Sequence, residues 1–79
     1  MSRKVYVDVN VKFDTDGIMH PLSITWEDGT NFIIDKVLDI KKAASLKVGG
    51  QGIRYTCMIN NKQTYLFYEF NKWFVEAKQ

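Results

Sequence analysis

The sequence predicts a small all-β domain of six antiparallel strands. Apolar and polar residues alternate with a period of two along most of the chain, which is the pattern of strands that bury one face. Turn-forming residues recur at intervals of roughly 8 to 12 residues, as in small antiparallel barrels and sandwiches. The chain has 79 residues, of which 46% are hydrophobic and 25% are charged, and this is the composition of one folded domain covering residues 1–79.

The first two strands are predicted to form a hairpin. A turn at residues 14–17 separates them, because Asp side chains accept hydrogen bonds from the backbone ahead of them and Gly17 tolerates a positive φ. In the second strand, which ends near Trp26, Pro21 predicts an edge position or a bulge because proline has no N–H to donate. The first strand covers residues 4–13 and places five apolar side chains on one face: Val5, Val7, Val9, Val11 and Phe13.

The third strand is predicted at residues 31–37, after an Asp-Gly turn and around a β-branched pair of isoleucines. Between residues 39 and 48 the alternation is lost. We expect a loop or irregular strand there, with at most a short helical turn, because the segment lacks a convincing N-cap and is too short for an independent helix. A glycine-rich stretch at residues 49–52 ends this segment.

The last three strands are predicted at residues 53–59, 62–70 and 73–77. Two-residue turns are expected to join them, at Asn60-Asn61 and at Asn71-Lys72. Asn suits such turns because it tolerates left-handed backbone geometry better than other non-glycine residues. The residues that we expect to be buried in the core include Val7, Val9, Trp26, Ile53 and Trp73.

The length of the turn between the fourth and fifth strands decides which side chains face outward. A two-residue turn pairs Cys57 with Thr64 and directs Tyr65 and Phe67 outward beside Arg54. A three-residue loop shifts the register by one and directs Leu66 and Tyr68 outward instead. In either register large apolar groups occupy the second face. Either another strand or the irregular segment covers them, or they form a platform of aromatic rings and an arginine that stacks bases or docks a protein.

Charge is distributed unevenly along the chain. Residues 1–39 carry four basic and seven acidic residues, whereas residues 40–68 carry five basic residues and no acidic one, and the formal net charge is +2. If folding gathers these cations on one face, that face attracts phosphates. The alternative is that they are dispersed over a solvated surface. The five cations are Lys41, Lys42, Lys47, Arg54 and Lys62.

The residues that could carry chemistry do not form a recognisable motif. Asp14 begins a partial calcium-loop pattern, but Gly17 comes two positions too early and Thr25 stands where a bidentate Glu belongs. Cys57 lies on the apolar face of a strand, which favours a structural role over a nucleophilic one. His20 has no acidic partner that the sequence reveals. We therefore expect no enzymatic activity, no cofactor and no bound metal.

Cysteine usage and hydropathy indicate the compartment. A single Cys excludes a disulfide within the chain and favours a reducing, cytoplasmic environment. One Cys and one His are too few for the usual four-ligand zinc site. No apolar run approaches the ~18 residues of a membrane span, and the first residues lack the apolar segment of a signal peptide. We expect a cytoplasmic protein without a membrane partner.

Four segments carry a family resemblance: 21–29 (PLSITWEDG), 32–37 (FIIDKV), 53–55 (IRY) and 73–76 (WFVE). They are similar to segments of small, mostly uncharacterised bacterial β-domains, which occur alone and as C-terminal appendages of proteins related to Y-family DNA polymerases. The resemblance covers most of the chain and implies an SH3-like barrel and a DNA-related setting. The catalytic carboxylate motifs of the polymerases are lacking, so the resemblance implies no catalytic residue.

These observations predict a non-enzymatic binding module on a six-stranded SH3-like barrel. Nucleic acid is the favoured ligand, bound by a basic face with exposed aromatic rings. The alternative is a protein-interaction or homo-oligomerisation module that uses the surface of the hairpin at residues 53–70. The predicted phosphate contacts are Lys41, Lys42, Lys47 and Lys62, and the predicted stacking residues are Arg54 with Tyr65 or Phe67.

Overall fold

The computed structural model describes residues 2–42 and 52–78, which form eight β-strands and no helix. A five-stranded antiparallel sheet has the order β1-β8-β7-β6-β5, and a three-stranded antiparallel sheet has the order β2-β3-β4. The predicted all-β class is confirmed, and the count of six strands is wrong. The strands are β1 (Ser2–Tyr6), β2 (Asp8–Phe13), β3 (Met19–Thr25), β4 (Asn31–Ile33), β5 (Lys36–Lys42), β6 (Ile53–Ile59), β7 (Lys62–Glu69) and β8 (Lys72–Lys78).

The two additional strands arise where the chain passes from one sheet to the other. At Val7 the predicted first strand divides, because β1 pairs with β8 whereas β2 pairs with β3. The N–H of Val7 still donates to the carbonyl of Trp73, 3.1 Å away, so the backbone stays paired through the bend. The second passage is at Ile34 and Asp35, whose N–H groups donate to Leu22 in one sheet and Met58 in the other. Along the described residues the two sheets do not close into a continuous barrel.

The segment predicted to be irregular is in part a regular strand. Residues 39–42 belong to β5 and pair with β6, so of the expected alternatives the chain forms a strand here, and the loop and the helical turn are wrong for this part. The pairing with β6 overrides the weak local pattern, because strand formation depends on tertiary neighbours more than on intrinsic preference. The remainder of the predicted segment, at 43–48, lies outside the described residues.

The β6–β7 and β7–β8 hairpins of the large sheet each turn through two residues. Asn60 and Asn61 have φ of 51° and 62°, and of the two registers that the sequence left open the structure has the one that pairs Cys57 with Thr64. The next turn lies one residue earlier than predicted, because Phe70 rather than the expected Lys72 occupies it, with φ of 53°. Two consecutive residues with positive φ are the type I′ geometry that matches the twist of hairpin strands.

A bulge in the small sheet changes which side chains of β3 are buried. Asn10 pairs with Ser23 and Val11 pairs with Pro21, so Leu22 is the extra residue on β3. Pro21 is buried and Leu22 is half exposed as a result. The predicted bulge is confirmed, whereas the predicted edge position is not, since β3 is the central strand of its sheet.

The core lies between the two sheets. Val7 is buried as predicted, whereas the other four predicted core residues are half-buried and pack against the core from its margin. The described chain contains no helix long and apolar enough to span a membrane. The buried cluster consists of Val5, Val7, Ile24, Ile34, Tyr55, Cys57, Ile59, Leu66 and Val75.

Candidate binding face

The face of the five-stranded sheet that is turned away from the small sheet is called the outer face here. Strand alternation assigns one set of side chains to the core and the next set to this face. The register aligns one row of outer-face residues across all five strands, because each member is the Cα partner of the next. In strand order from β1 to β5 this row is Tyr6, Phe74, Phe67, Arg54 and Lys41.

The aromatic part of this row is closely packed. The rings of Phe67 and Phe74 are nearly parallel, with centroids 5.1 Å apart and an interplanar angle of 7°. Tyr6 tilts against Phe74 at 5.7 Å and 60°. Phe74 is only 1% exposed and Phe67 5%, whereas Tyr6 is 55% exposed. The two phenylalanine rings are therefore buried beneath the surface of the outer face, whereas the ring of Tyr6 is exposed.

Three cationic side chains lie over aromatic rings on the outer face. Nζ of Lys4 is 4.6 Å from the centroid of Phe74, and Nζ of Lys72 is 5.6 Å from that of Tyr6. Cζ of Arg54 is 4.7 Å from the centroid of Tyr65, which is 45% exposed. Each contact is within the ~6 Å range in which the ring quadrupole attracts a cation.

Acidic groups interrupt this basic surface. Lys4 also approaches Oε1 of Glu69, at 3.6 Å, and Lys41 approaches Oδ2 of Asp39, at 3.7 Å. Within the described part of the chain, three buried polar atoms of the outer face have no hydrogen-bond partner. They are Nε of Arg54, Oε2 of Glu69 and Oε2 of Glu76.

The structure brings together four of the seven predicted site residues, which are Lys41, Arg54, Tyr65 and Phe67 on the outer face. Phe67 is buried and packs against Phe74, so its ring is not presented at the surface. Of the other three residues, two are separated from this group and the third is not described. Lys42 is opposite Ile53 and points to the other side of β5, Lys62 follows the turn at the start of β7, and Lys47 lies outside the described residues.

Four members of the outer face were not among the site residues predicted from the sequence, namely Lys4, Tyr6, Lys72 and Phe74. They lie on β1 and β8, at opposite ends of the sequence, and the antiparallel pairing of these strands brings them together. Both segments carry the same local signal, a lysine two residues before an aromatic residue, which places both side chains on one face of a strand. By itself this signal does not predict a shared surface, because the local sequence does not show that β1 and β8 are neighbours.

Two open cavities lie at the margins of the sheets. The larger, of about 470 Å³, is formed where β1 passes into β2, and its lining includes Tyr6, Asp8 and Lys72. The smaller, of about 340 Å³, is an apolar groove between the sheets that includes Trp26 and Phe32, with Lys62 at its rim. The predicted phosphate contact at Lys62 therefore belongs to the groove and not to the outer face.

The groups considered for catalysis lie in two places, Asp14 and His20 beside the turn between β2 and β3 and Cys57 in the core. Asp14 accepts hydrogen bonds from the N–H groups of Asp16 and Ile18 and from His20 Nε2, at 2.8 to 3.0 Å. His20 thus has an acidic partner that the sequence did not reveal. The thiol of Cys57 is fully buried, and burial raises its pKa to about 11. Among residues 2–42 and 52–78, no three His, Cys, Asp or Glu side chains form a group that could hold a metal ion.

Comparison of the chain with protein-family models, curated proteins and solved structures gave no match. Function is therefore inferred from the chemistry of the outer face alone. Its central feature is the exposed ring of Tyr65 beneath the guanidinium of Arg54, next to Lys41 in the cross-strand row. A planar ring, a delocalised cation and an ammonium group on one rigid sheet can stack a base and contact a phosphate.

Proposed function

We propose that the protein is a non-enzymatic binding module whose outer face binds single-stranded nucleic acid. The observation that carries this proposal is the contact of Arg54 with the exposed ring of Tyr65 on a face that also holds Lys41. Aromatic rings stack bases without regard to sequence, and cations on the same surface follow the phosphate backbone. Tyr6 and Lys72 repeat this combination of ring and cation at the other side of the sheet.

The charge of the outer face supports an anionic ligand. Among the side chains that the structure describes, five basic and three acidic ones lie on it by register, and two of the acids are already paired, Glu69 with Lys4 and Asp39 with Lys41. In this proposal Tyr65 and Tyr6 stack bases, and the phosphates are contacted by Lys41, Arg54 and Lys72. Lys42 and Lys62 are secondary phosphate contacts that the nucleic acid reaches only beyond the outer face. Lys47, which lies outside the described residues, stays a predicted phosphate contact.

We also propose that the fold is an opened SH3-like barrel related to the small bacterial β-domains that the sequence resembles. The continuous passage of the chain between the sheets at Val7 and at Ile34 supports this relation, because such corners are where barrel strands move from one sheet to the next. The single buried thiol of Cys57 is compatible with the reducing cytoplasm that the sequence favours.

Fluorescence anisotropy of a labelled oligothymidylate, measured over a series of salt concentrations, tests the proposed ligand. Tyr65→Ala is expected to weaken binding by about 1 to 3 kcal/mol with little change in the salt slope, because it removes stacking but no charge. Tyr65→Phe retains the ring and is expected to bind like the wild type. Lys72→Gln is expected to lower the slope of log affinity against log salt by about 0.7, the value for one phosphate contact on a single strand.

Lys12→Gln is the matched control, because Lys12 is exposed on β2 and belongs to the other sheet. Lys12→Gln removes the same charge as Lys72→Gln, but its slope of log affinity against log salt is expected to stay close to that of the wild type. Equal effects of Lys12→Gln and Lys72→Gln would mean that net charge and not the outer face attracts the oligonucleotide. A wild-type protein without any salt-dependent binding to single-stranded DNA or RNA would refute the nucleic-acid proposal.

Protein interaction or homo-oligomerisation through the 53–70 hairpin is the alternative function. The exposure of Tyr65 favours it, since a large exposed aromatic ring on a rigid sheet also suits a protein interface. The same variant separates the two functions. If the wild type does not bind oligonucleotides and Tyr65→Ala converts a dimer into a monomer, the outer face is a protein interface.

A further inference from the structure

Strand β5 is an edge strand with exposed aliphatic side chains. It ends the five-stranded sheet in the described part of the chain, so one side of its backbone has no strand partner there. Leu38 is 47% exposed and Ile40 45% exposed on this edge. A bulge between Val37 and Asp39 interrupts the first part of the strand, after which residues 39–42 pair regularly with β6. Exposed backbone and aliphatic side chains on a regular edge favour pairing with another strand.

The charges on β5 are complementary to those of a second copy of the same strand. In an antiparallel pair related by a two-fold axis, each residue keeps its face, so only residues with the same parity stand opposite each other. With Ile40 on the axis, Asp39 of each copy lies opposite Lys41 of the other, and the two isoleucines meet. Moving the axis to Asp39 or to Lys41 places two like charges opposite each other instead. Of these three registers, the charges of the strand favour the one centred on Ile40.

We propose that the protein forms a two-fold dimer by antiparallel pairing of β5 with β5 of a second copy, centred on Ile40. The two five-stranded sheets then form one sheet of ten strands, and the two outer faces become continuous. Asp39 and Lys41 are already 3.7 Å apart within one chain and are well exposed, so they are available for a crossed arrangement with the second copy. This proposal does not depend on nucleic-acid binding.

Charge exchange tests both the dimer and its register. In sedimentation equilibrium, Asp39→Lys is expected to weaken dimerisation at least about tenfold, because it places Lys opposite Lys41 of the other copy twice. Lys41→Asp is expected to have the same effect through two pairs of carboxylates. An equimolar mixture of these two variants is expected to form a heterodimer, since every facing pair is then opposite in charge. The doubly exchanged chain, Asp39→Lys with Lys41→Asp, is expected to dimerise with itself.

The mixture separates contacts between chains from effects within a chain. In the mixture each single variant still has two like charges on its own β5. If the two variants associate when mixed but not alone, the charges must therefore act between copies and not within one chain. Circular dichroism of each variant checks that it is folded. A wild type that stays monomeric at millimolar concentration overturns the proposal, and so does a mixture that fails to associate. The proposal is also overturned if the charge exchanges leave the dimer intact and Tyr65→Ala abolishes it, because the interface is then the outer face. Oligonucleotide binding is tested through Tyr65 and Lys72, away from this edge, so either proposal can fail alone.

Discussion

The ammonium group of Lys4 lies 3.6 Å from Oε1 of Glu69, reaching it across the ring of Phe74. The Glu69 side chain is only 2% exposed, and its second oxygen has no hydrogen-bond partner among the described residues. One lysine therefore both balances a buried carboxylate and covers a buried ring. A buried charge that loses its partner is costly, because the remaining group cannot recover its hydration.

The first prediction follows from this pair. Lys4→Met retains an unbranched side chain over Phe74 but removes the charge, and we expect it to lower the free energy of unfolding by about 1 to 3 kcal/mol. Adding Glu69→Gln is expected to recover part of that loss, since the carboxylate that needs a partner is then gone. Urea denaturation measures all variants.

Arg3→Met is the control for this prediction. Arg3 also contacts a glutamate, Glu27 at 2.8 Å, but both side chains are 48% exposed. Solvated ion pairs contribute little to stability, so its denaturation midpoint is expected to stay close to that of the wild type. If the two methionine variants lose equal stability, the burial of Glu69 is not what matters.

The second prediction concerns the strained turn between β7 and β8. Phe70 has φ of 53° and is 75% exposed, so it adopts a left-handed conformation without burying its ring. Phe70→Asn is expected to raise the free energy of unfolding by about 1 kcal/mol, because Asn adopts this conformation more readily. Phe70→Ala removes the ring but not the strain and is expected to give no such gain. Equal stabilisation by both substitutions would implicate the exposed ring itself. Thermal denaturation followed by circular dichroism measures the effect.

The third prediction concerns stability at alkaline pH. Burial raises the pKa of Cys57 to about 11 from an ordinary value of 9.0. Between these pH values the unfolded chain releases a proton that the folded chain retains, so the free energy of unfolding falls as pH rises. Cys57→Ala is expected to show a shallower fall over the same range, measured by urea denaturation. Iodoacetamide at pH 8.5 is expected to modify Cys57 only after denaturant is added; rapid alkylation of the native protein would contradict its burial.

The fourth prediction concerns stability in acid. The hydrogen bond from His20, together with the backbone N–H of Ile18, holds the pKa of Asp14 below its ordinary value. The stabilisation by this carboxylate is present above the ordinary carboxyl pKa and is lost as pH falls through the lower pKa of the folded state. Asp14→Asn retains an oxygen that accepts the backbone hydrogen bonds, so we expect stability near neutral pH to be kept and the fall in acid to be shallower.

Asp16→Asn provides the comparison for this acid effect. Asp16 lies in the same turn but contributes its backbone N–H to Asp14 rather than receiving these hydrogen bonds on its carboxylate. It changes the net charge by the same amount as Asp14→Asn. Urea denaturation between pH 7 and pH 2.5 is expected to give Asp16→Asn the acid dependence of the wild type. The same shallow dependence in both variants would assign the effect to net charge.

Local sequence was sufficient for the features that depend on a few neighbouring residues. The Asn60-Asn61 turn was predicted from residue type, because Asn tolerates a positive φ. The register of that hairpin was left open between two alternatives, and only the structure decided that Cys57 pairs with Thr64. The bulge near Pro21 was predicted from the missing N–H. The later turn was placed one residue too far along, because nothing in the sequence marks Phe70 as a residue with positive φ.

The alternation of buried and exposed side chains and the local turns follow from the sequence alone, and together they predict an all-β chain. The positions at which strands change partners, as at Val7, do not follow from it, because an unbroken alternating pattern is equally compatible with one long strand or two. The same limit applies to the outer face. Tyr6 and Phe74 are 68 positions apart and become neighbours only through the pairing of β1 with β8. Such contacts depend on which strands pair across the whole chain, and that choice is set by the combined burial of the core and not by any local pattern.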